Sequence, residues 1–301
     1  MAGITMTRPI DANVAIAAEI QRNSADLSAC GSIEMGAHRP EDAVRIAELL
    51  PSGTRVYVNH LPRHNLDDTL RGLLAVQRAG LEPVPHIAAR RVGSHAELTS
   101  FLQRAAGEAG VTKALVLGGD LDKPTGPFAD AAALLRDGGL KEAGILEVGL
   151  AGYPEGHPRI PSSVLGTALH EKLGLARAQG LGAWVVTQFS FAPNRIVEFC
   201  GQLHRAEPGV SVYVGMPGPT NPGRLLKFAQ VCGVSASLRA MTAQGMGAVR
   251  LFTNTDPVDQ LHAVARHCAG GATANVVGIH LFTFGGIEPA ARWLNKQFAT
   301  A

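Results

Sequence analysis

Polar side chains that can transfer protons or form hydrogen bonds lie at or near the ends of six different apolar runs of this 301-residue sequence. In chain order they are Glu34, Asn59, His86, Asp120, Tyr153 with His157, and Gln188. A single histidine or carboxylate at such a position is most often a structural group with its own hydrogen-bond partner. Six runs that all end in such groups predict one shared pocket instead, provided that the runs are parallel strands whose ends meet.

Two carboxylates are the candidates for acid–base chemistry. Glu34 lies within the apolar segment SIEMG, where burial would raise its pKa and suit it to exchange a proton near neutral pH. Its alternative is a buried partner of an arginine or a lysine. Asp120 ends the segment VLGGD, in which Gly118 and Gly119 leave room for a planar ligand beside the backbone. Its alternative is a turn residue that caps the loop.

The segments AGYPEGHP (residues 151–158) and TQFSF (residues 187–191) add groups that can position a ligand. Two prolines stiffen the first segment and so hold Tyr153 and His157 in fixed directions. The side-chain amide of Gln188 both donates and accepts hydrogen bonds, which suits a heterocycle that displays both kinds of group.

Composition and missing motifs exclude several classes of protein. Lys and Arg number 27 against 25 Asp and Glu, a net charge of +2, and no basic run indicates nucleic-acid binding. The four cysteines are far apart, which argues against a disulfide scaffold and for a reducing cytoplasm. The sequence shows no signal peptide, long apolar span or His-Glu-x-x-His spacing. We therefore expect a cytoplasmic enzyme without a metal that binds neither nucleic acid nor membrane; a homo-oligomer is compatible with these features.

Eight short apolar runs alternate with amphipathic stretches along the chain. The predicted strands are 30–36, 54–59, 82–88, 113–118, 145–151, 183–189, 210–216 and 275–282. The predicted helices are 40–50, 66–79, 94–109, 127–137, 162–179, 193–206, 221–231, 256–269 and 287–298. This alternation favours the α/β class with a (β/α)8 TIM barrel over an open doubly wound sheet. The open sheet is the weaker alternative because no Gly-rich dinucleotide fingerprint follows the first strand.

The chain is predicted to form a single domain over residues 1–301. A helical pattern at 11–22 indicates an N-terminal helical extension at about 1–28, ahead of the first strand. The connection between the seventh and eighth strands contains an insertion at about 232–255.

The order of the segments SIEMG, PHIAA, VLGGD, GYPEGHP, TQFSF and IHLFTF resembles the catalytic domain of the methylenetetrahydrofolate reductases. The resemblance extends from about residue 30 to residue 284. It implies a barrel that binds FAD, takes a hydride from NADH or NADPH and reduces 5,10-methylenetetrahydrofolate to 5-methyltetrahydrofolate. The chain looks like the short bacterial form, which consists of the catalytic barrel alone.

The same resemblance implies roles for individual residues. Glu34 matches the general acid that assists opening of the methylene bridge. Asp120 matches the aspartate that faces the pterin and tunes the flavin, and Gln188 matches the glutamine that binds the folate. The positions that match the flavin-binding set are Asn59, His86, Gly119, Asp120, Ala129, Tyr153, His157 and Lys172.

The chain departs from the family pattern around the cofactor. Gly118 stands where the family has an arginine, and residues 285–286 are glycines where it has Asn-Arg. Leu169 and Leu175 stand where polar contacts to FAD are expected, with Lys172 and Arg177 as candidate replacements. Two alternatives follow: direct hydride transfer from nicotinamide to folate without FAD, and a folate-binding barrel without redox activity.

Overall fold

A computed structural model describes residues 12–61, 64–136, 139–234, 256–269 and 275–298. Eight parallel strands, β1 to β8, close into one barrel in chain order. Their bounds are Ser32–Gly36, Arg55–Asn59, Glu82–Ala88, Lys113–Leu117, Glu147–Gly152, Gly182–Thr187, Ser211–Pro217 and Val276–Phe282. The predicted (β/α)8 barrel is confirmed, and each observed strand overlaps a predicted one.

Helices follow the strands and cover the outside of the barrel. In chain order, α1 to α11 are Ala12–Ala29, Asp42–Ala47, Leu66–Arg78, His95–Ala109, Ala131–Arg136, Gly139–Glu142, Ser162–Ala178, Pro193–Ala206, Pro222–Val231, Val258–Ala269 and Ile287–Phe298. Local sequence sets several ends. Ser94 accepts a hydrogen bond from the Glu97 backbone N–H at the start of α4, and Gly110 ends this helix with a left-handed φ of +63°.

Two apolar layers hold the barrel together. Valine, isoleucine and leucine side chains on the outer face of the strands pack against the helices. Inside the barrel, Tyr57, Trp184 and Tyr213 fill the space between the strands, and the Trp184 indole N–H donates to the Tyr57 hydroxyl at 3.1 Å. Gly149 makes room for this indole, since a Cβ there would lie 2.7 Å from the Trp184 ring. The large interior side chains leave the polar groups at the two ends of the strands.

The amino ends of the strands carry an ion-pair network of their own. Glu82, which begins β3, accepts from Arg55 Nε at 3.0 Å and from Lys113 Nζ at 2.6 Å. Because these residues begin their strands, the network lies at the end of the barrel opposite the predicted pocket.

Two element predictions differ in their limits from the structure. The predicted helix at 11–22 extends to Ala29, because Ala25 and Leu27 are buried and α1 packs against β8, α10 and α11. The predicted helix at 127–137 begins only at Ala131, where Asp130 Oδ1 accepts from the Ala133 backbone N–H. Most of the predicted 232–255 insertion and residues 1–11 lie outside the described residues.

Over the described ranges, no helix has the length and apolar composition that a membrane span requires. In that same part of the chain, no group of three or more His, Cys, Asp and Glu side chains could hold a metal ion.

Candidate active site

Glu34 lies at the centre of a cluster of polar side chains in the carboxyl-terminal half of the barrel. It belongs to β1, and its side chain is almost completely buried. Its Oε1 lies 3.4 Å from Nε2 of His280 on β8 and 3.9 Å from Nε2 of His86 on β3. The side chain of Asn59, which ends β2, also donates a hydrogen bond to this carboxylate. Three other strands thus bring polar groups to Glu34.

The pKa of Glu34 shifts in the direction opposite to the sequence-based expectation. Burial alone raises this pKa, as expected. The hydrogen bond from His280, the charges of the neighbouring histidines and the hydrogen bond from Asn59 together outweigh burial and lower it below 4.5. The expectation of a raised pKa is therefore wrong. Near neutral pH Glu34 is ionised, and its carboxylate accepts the hydrogen bond from His280.

His280 extends the hydrogen-bonded chain from Glu34 to Ser32. Its ring is completely buried, and its Nδ1 lies 2.9 Å from the Ser32 Oγ. The register of β1 against β8 pairs these two residues, so barrel closure brings them together. The Ser32 Oγ also lies 3.3 Å from the Ile279 carbonyl. The hydroxyl can therefore donate to a neutral ring, or accept from a protonated ring while it donates to that carbonyl.

Two further histidines of the cluster are neutral near pH 7. Burial is the main cause that lowers the pKa of His86 and of His60 to about 4 each. His280 is thus the main group that lowers the pKa of Glu34. Within the described part of the chain, the buried atoms His86 Nε2, His60 Nδ1 and Asn59 Oδ1 have no hydrogen-bond partner. Because unsatisfied buried polar atoms are costly, a ligand that pairs with them would be stabilised.

Asp120 lies in the loop after β4 and is held by Arg91 from the loop after β3. Nε and Nη2 of Arg91 donate to the Asp120 Oδ1 at 3.1 and 2.6 Å. The Asp120 side chain is 63% exposed and that of Arg91 only 8%, so the carboxylate faces the opening above its buried cation. Gly119 precedes it with a left-handed φ of +89°, and a Cβ there would lie 3.4 Å from the Ala88 Cβ.

Cys232, at the end of α9, links Gln188 with two other predicted residues. The Gln188 side chain hydrogen-bonds the Cys232 sulfur, while its Oε1 accepts from the Phe189 backbone N–H at 3.1 Å. Burial and then the nearby charge of Glu34 raise the pKa of the Cys232 thiol to about 11. Burial, with Cys232 nearby, also raises the pKa of Tyr153. Glu34, Tyr153 and Gln188 therefore converge around one thiol.

The remaining predicted residues lie in the loops after β4 and β5 and on α7. The ring of His157 lies edge-on to Tyr153, with 5.3 Å between the ring centroids. Ala129 and Asp130 lie in the loop between β4 and α5, and Lys172 on α7 interacts electrostatically with Asp130.

Sequence reasoning missed four residues of the candidate site. They are Ser32, Arg91, Cys232 and His280. His280 lies in an apolar run just as His86 does, and this signal was available in the sequence. The other three depend on which loops and strands become neighbours in the barrel, which no local pattern reveals.

Comparison with known proteins identifies the family. Residues 65–284 match the family model described as methylenetetrahydrofolate reductase. The chain belongs to the methylenetetrahydrofolate reductase family. The family resemblance is thereby confirmed, and five of the six sequence segments lie within the matched range, whereas SIEMG precedes it. The matched range contains β3 to β8 and with them His86, Asp120, Gln188 and His280, whereas Glu34 and Asn59 precede it. The placement of these last two in the site therefore depends on the geometry.

Two individual proteins illustrate the similarity. The 5,10-methylenetetrahydrofolate reductase of Pectobacterium carotovorum subsp. carotovorum is 29% identical over 160 residues, which cover 52% of this chain and 51% of that relative. The alignment thus spans about half of the curated relative. An uncharacterized protein from Clostridium thermocellum, described as binding two copies of 5-methyl-5,6,7,8-tetrahydrofolic acid, shares the fold with a TM-score of 0.59 at 10% identity. That similarity covers 95% of this chain and 98% of the other.

Proposed function

We propose that this methylenetetrahydrofolate reductase family member reduces 5,10-methylenetetrahydrofolate to 5-methyltetrahydrofolate with NADH or NADPH, through FAD bound at the mouth of the barrel. The observation that carries the proposal is the buried hydrogen-bonded chain of Ser32, His280 and Glu34. It gives a barrel of this family a group that can hold a proton and release it towards a bound substrate.

The reaction needs that proton because a nitrogen leaves carbon when the methylene bridge opens. Because Glu34 is ionised at rest, it takes up a proton from Nε2 of His280, 3.4 Å from its Oε1, and passes that proton to this nitrogen. The Ser32 hydroxyl adapts to either protonation state of the ring, so the chain stays hydrogen-bonded throughout. A positioned general acid of this kind contributes roughly 10²–10⁴-fold to the rate.

Asp120 and Gln188 bind the pterin in this proposal. The Asp120 carboxylate faces the opening, and Arg91 fixes one of its oxygens. The Gln188 amide is held at its oxygen by the Phe189 N–H and is bonded to the Cys232 sulfur. The carboxylate accepts hydrogen bonds, and the amide both donates and accepts them. Together they match the mixed donors and acceptors at a pterin edge.

The residues at the mouth fit a flavin. The unpaired Asn59 Oδ1 and His86 Nε2 match a heterocycle with both donors and acceptors. A Cβ on Gly118 would meet nothing within 4 Å, which leaves open space beside the loop. FAD would be held by Asn59, His86, Gly119, Asp120, Ala129, Tyr153, His157 and Lys172. When bound, a flavin supplies a hydride acceptor and donor, chemistry that no side chain provides.

A second candidate is the same reduction with nicotinamide alone. Leu169 on α7, where the family pattern predicts a polar contact to FAD, is only 8% exposed. It lines, together with Tyr153 and Phe199, a cavity of about 890 Å³ between α7 and α8. The Leu169 side chain offers no hydrogen bond to a ribose at this position, which favours a protein that manages without the adenosine half of FAD.

One set of measurements on the purified protein tests both candidates. We expect visible flavin absorbance, and oxidation of NADH or NADPH that depends on methylenetetrahydrofolate. Folate-dependent oxidation without any flavin would support the nicotinamide-only reaction. Folate binding without oxidation of either nicotinamide would show a folate-binding barrel and contradict the proposal. The reaction can also be followed from methyltetrahydrofolate, because a catalyst accelerates both directions.

A further inference from the structure

Arg90, in the short 3₁₀ turn Ala89–Arg91 after β3, is a cation bonded to uncharged partners. Its Nε donates to the Ala129 carbonyl at 2.7 Å and its Nη1 to the Leu121 carbonyl at 3.0 Å. No carboxylate oxygen of the described residues lies within 4 Å of this guanidinium. Its neighbour Arg91, by contrast, is paired with Asp120. Among the described residues, no carboxylate therefore neutralises the charge of Arg90.

The two carbonyl bonds hold the guanidinium but leave it able to bind more. They occupy two of its five N–H groups, so the others remain for a further acceptor. The backbone of Arg90 is also fixed, since its N–H donates to the Gly118 carbonyl at 3.0 Å and its carbonyl accepts from the Thr125 N–H at 2.9 Å. A cation held this firmly loses little additional freedom when an anion binds.

Open space lies beside this cation. A Cβ on Gly118 would touch nothing within 4 Å, and a Cβ placed on Gly119 would lie 3.7 Å from the Arg90 Cβ. The loop therefore presents backbone without side chains next to an arginine. Such a surface lets a ligand approach the guanidinium closely.

Lys172 brings a second cation to the same loop. It interacts with Asp130, the residue that follows Ala129, but no carboxylate oxygen of the described chain lies within 4 Å of its Nζ. Burial lowers the pKa of this ammonium, although the charges of Asp130 and Glu171 raise it, so an added anion would also favour its charged form. An anion near Ala129 would stabilise both cations at once.

We propose that Arg90, together with Lys172, binds the diphosphate of a dinucleotide at the loop between β4 and α5. The inference rests on the proposed function, since FAD and NAD(P)H both carry this group. A diphosphate suits the site because its oxygens accept the parallel N–H groups of a guanidinium. Arg90 thus takes the place of the arginine that is absent at Gly118.

The test compares ligands with and without the diphosphate. The affinities of FAD and of riboflavin are measured by quenching of flavin fluorescence in the wild-type protein and in Arg90→Gln. We expect Arg90→Gln to weaken FAD about ten- to a hundredfold and to leave riboflavin unchanged. Arg104→Gln is the matched control, because Arg104 is an exposed arginine of α4 already paired with Asp67 and Glu108. It should leave both affinities unchanged.

A purely structural role of Arg90 gives a different result. If Arg90 only holds the loop, Arg90→Gln weakens FAD and riboflavin equally, which overturns the proposal. Arg90→Lys keeps the charge without the planar fork, so it should retain part of the preference for FAD over riboflavin. Thermal unfolding of each variant shows whether the barrel is intact.

The remaining outcomes separate this inference from the proposed function. If the wild-type protein does not bind FAD, the same comparison is made with NADH and reduced nicotinamide riboside. An NADH affinity that is unchanged in Arg90→Gln overturns the inference. The inference is also overturned if the wild-type protein binds neither FAD nor NADH. If only the affinity for methyltetrahydrofolate falls, the anion is a folate carboxylate and the diphosphate assignment is wrong. Intact dinucleotide binding without folate turnover contradicts the function alone.

Discussion

Nε2 of His280 lies 3.4 Å from Oε1 of Glu34, although 246 residues separate the two along the chain. The contact makes the acid of this site a pair instead of an isolated carboxyl. Without His280, two of the four contributions that lower the pKa of Glu34 would be lost, so this pKa would be higher than in the intact site. The position of the proton is thus decided by a strand at the far end of the sequence.

Replacing His280 should change the pH dependence of catalysis. In His280→Gln the group that most lowers the pKa of Glu34 is lost, so we expect the apparent pKa in the kcat profile to move to higher pH. Turnover near neutral pH should fall, since glutamine cannot pass a proton to Glu34 as the imidazole at 3.4 Å can. His170→Gln, an exposed histidine on α7, is the control. A kcat profile identical to wild type would contradict the pairing.

Replacing Glu34 should affect rate more than affinity. Glu34→Gln keeps the size of the side chain but cannot release a proton, so methylenetetrahydrofolate reduction should fall roughly 10²–10⁴-fold. The affinity for methyltetrahydrofolate, measured by equilibrium titration, should change little. Glu147→Gln is the matched control, because Glu147 begins β5 at the opposite end of the barrel. Equal losses in rate and in affinity would show that Glu34 only binds.

Replacing Asp120 should weaken folate turnover while the fold is kept. Asp120→Asn removes the charge that pairs with Arg91 but keeps the volume and an oxygen that can accept. Because the Asp120 side chain is 63% exposed, we expect a loss of no more than about 1 kcal/mol in the free energy of unfolding. The value of kcat/KM for the folate should fall about tenfold, which corresponds to the low end of the free-energy range for a hydrogen bond to a charged group. Unchanged folate kinetics in Asp120→Asn would show that Asp120 is only a turn residue and does not bind the folate.

Acid should destabilise the barrel through two buried histidines. The pKa of His86 and of His60 is about 4 in the folded protein, against 6.5 for an ordinary exposed histidine, so the unfolded chain binds more protons between these pH values. Their stabilisation is complete above pH 6.5 and is lost as the pH falls towards 4. Each contributes up to about 3 kcal/mol over this range.

Urea unfolding at several pH values measures this effect. In His60→Gln the dependence of the unfolding free energy on pH should be shallower than in the wild-type protein. The carboxylate of Glu34 acts in the same direction at lower pH, since its lowered pKa stabilises the fold only while it is ionised. A slope that is the same in both proteins would show that His60 is not held neutral.

Much of the fold followed from local pattern. The eight apolar runs and the helices between them predicted the barrel, because strands that are buried on both faces read as apolar runs and the covering helices as amphipathic ones. The ends of those runs also indicated Glu34, Asn59, His86, Asp120 and Gln188, and the structure places them in one half of the barrel. Helix limits were less certain, since the burial of Leu27 that extends α1 is a tertiary contact.

Which side chains touch was decided only by tertiary structure. Closure of the barrel pairs β1 with β8 and sets Ser32 against His280, a relationship between the two ends of the chain that no local window contains. The direction of the Glu34 pKa shift depends on the balance between burial, which the apolar neighbours predicted, and His280, which they could not. The pKa of a group depends on burial, charges and hydrogen bonds around it in space, whereas the sequence shows directly only its neighbours along the chain.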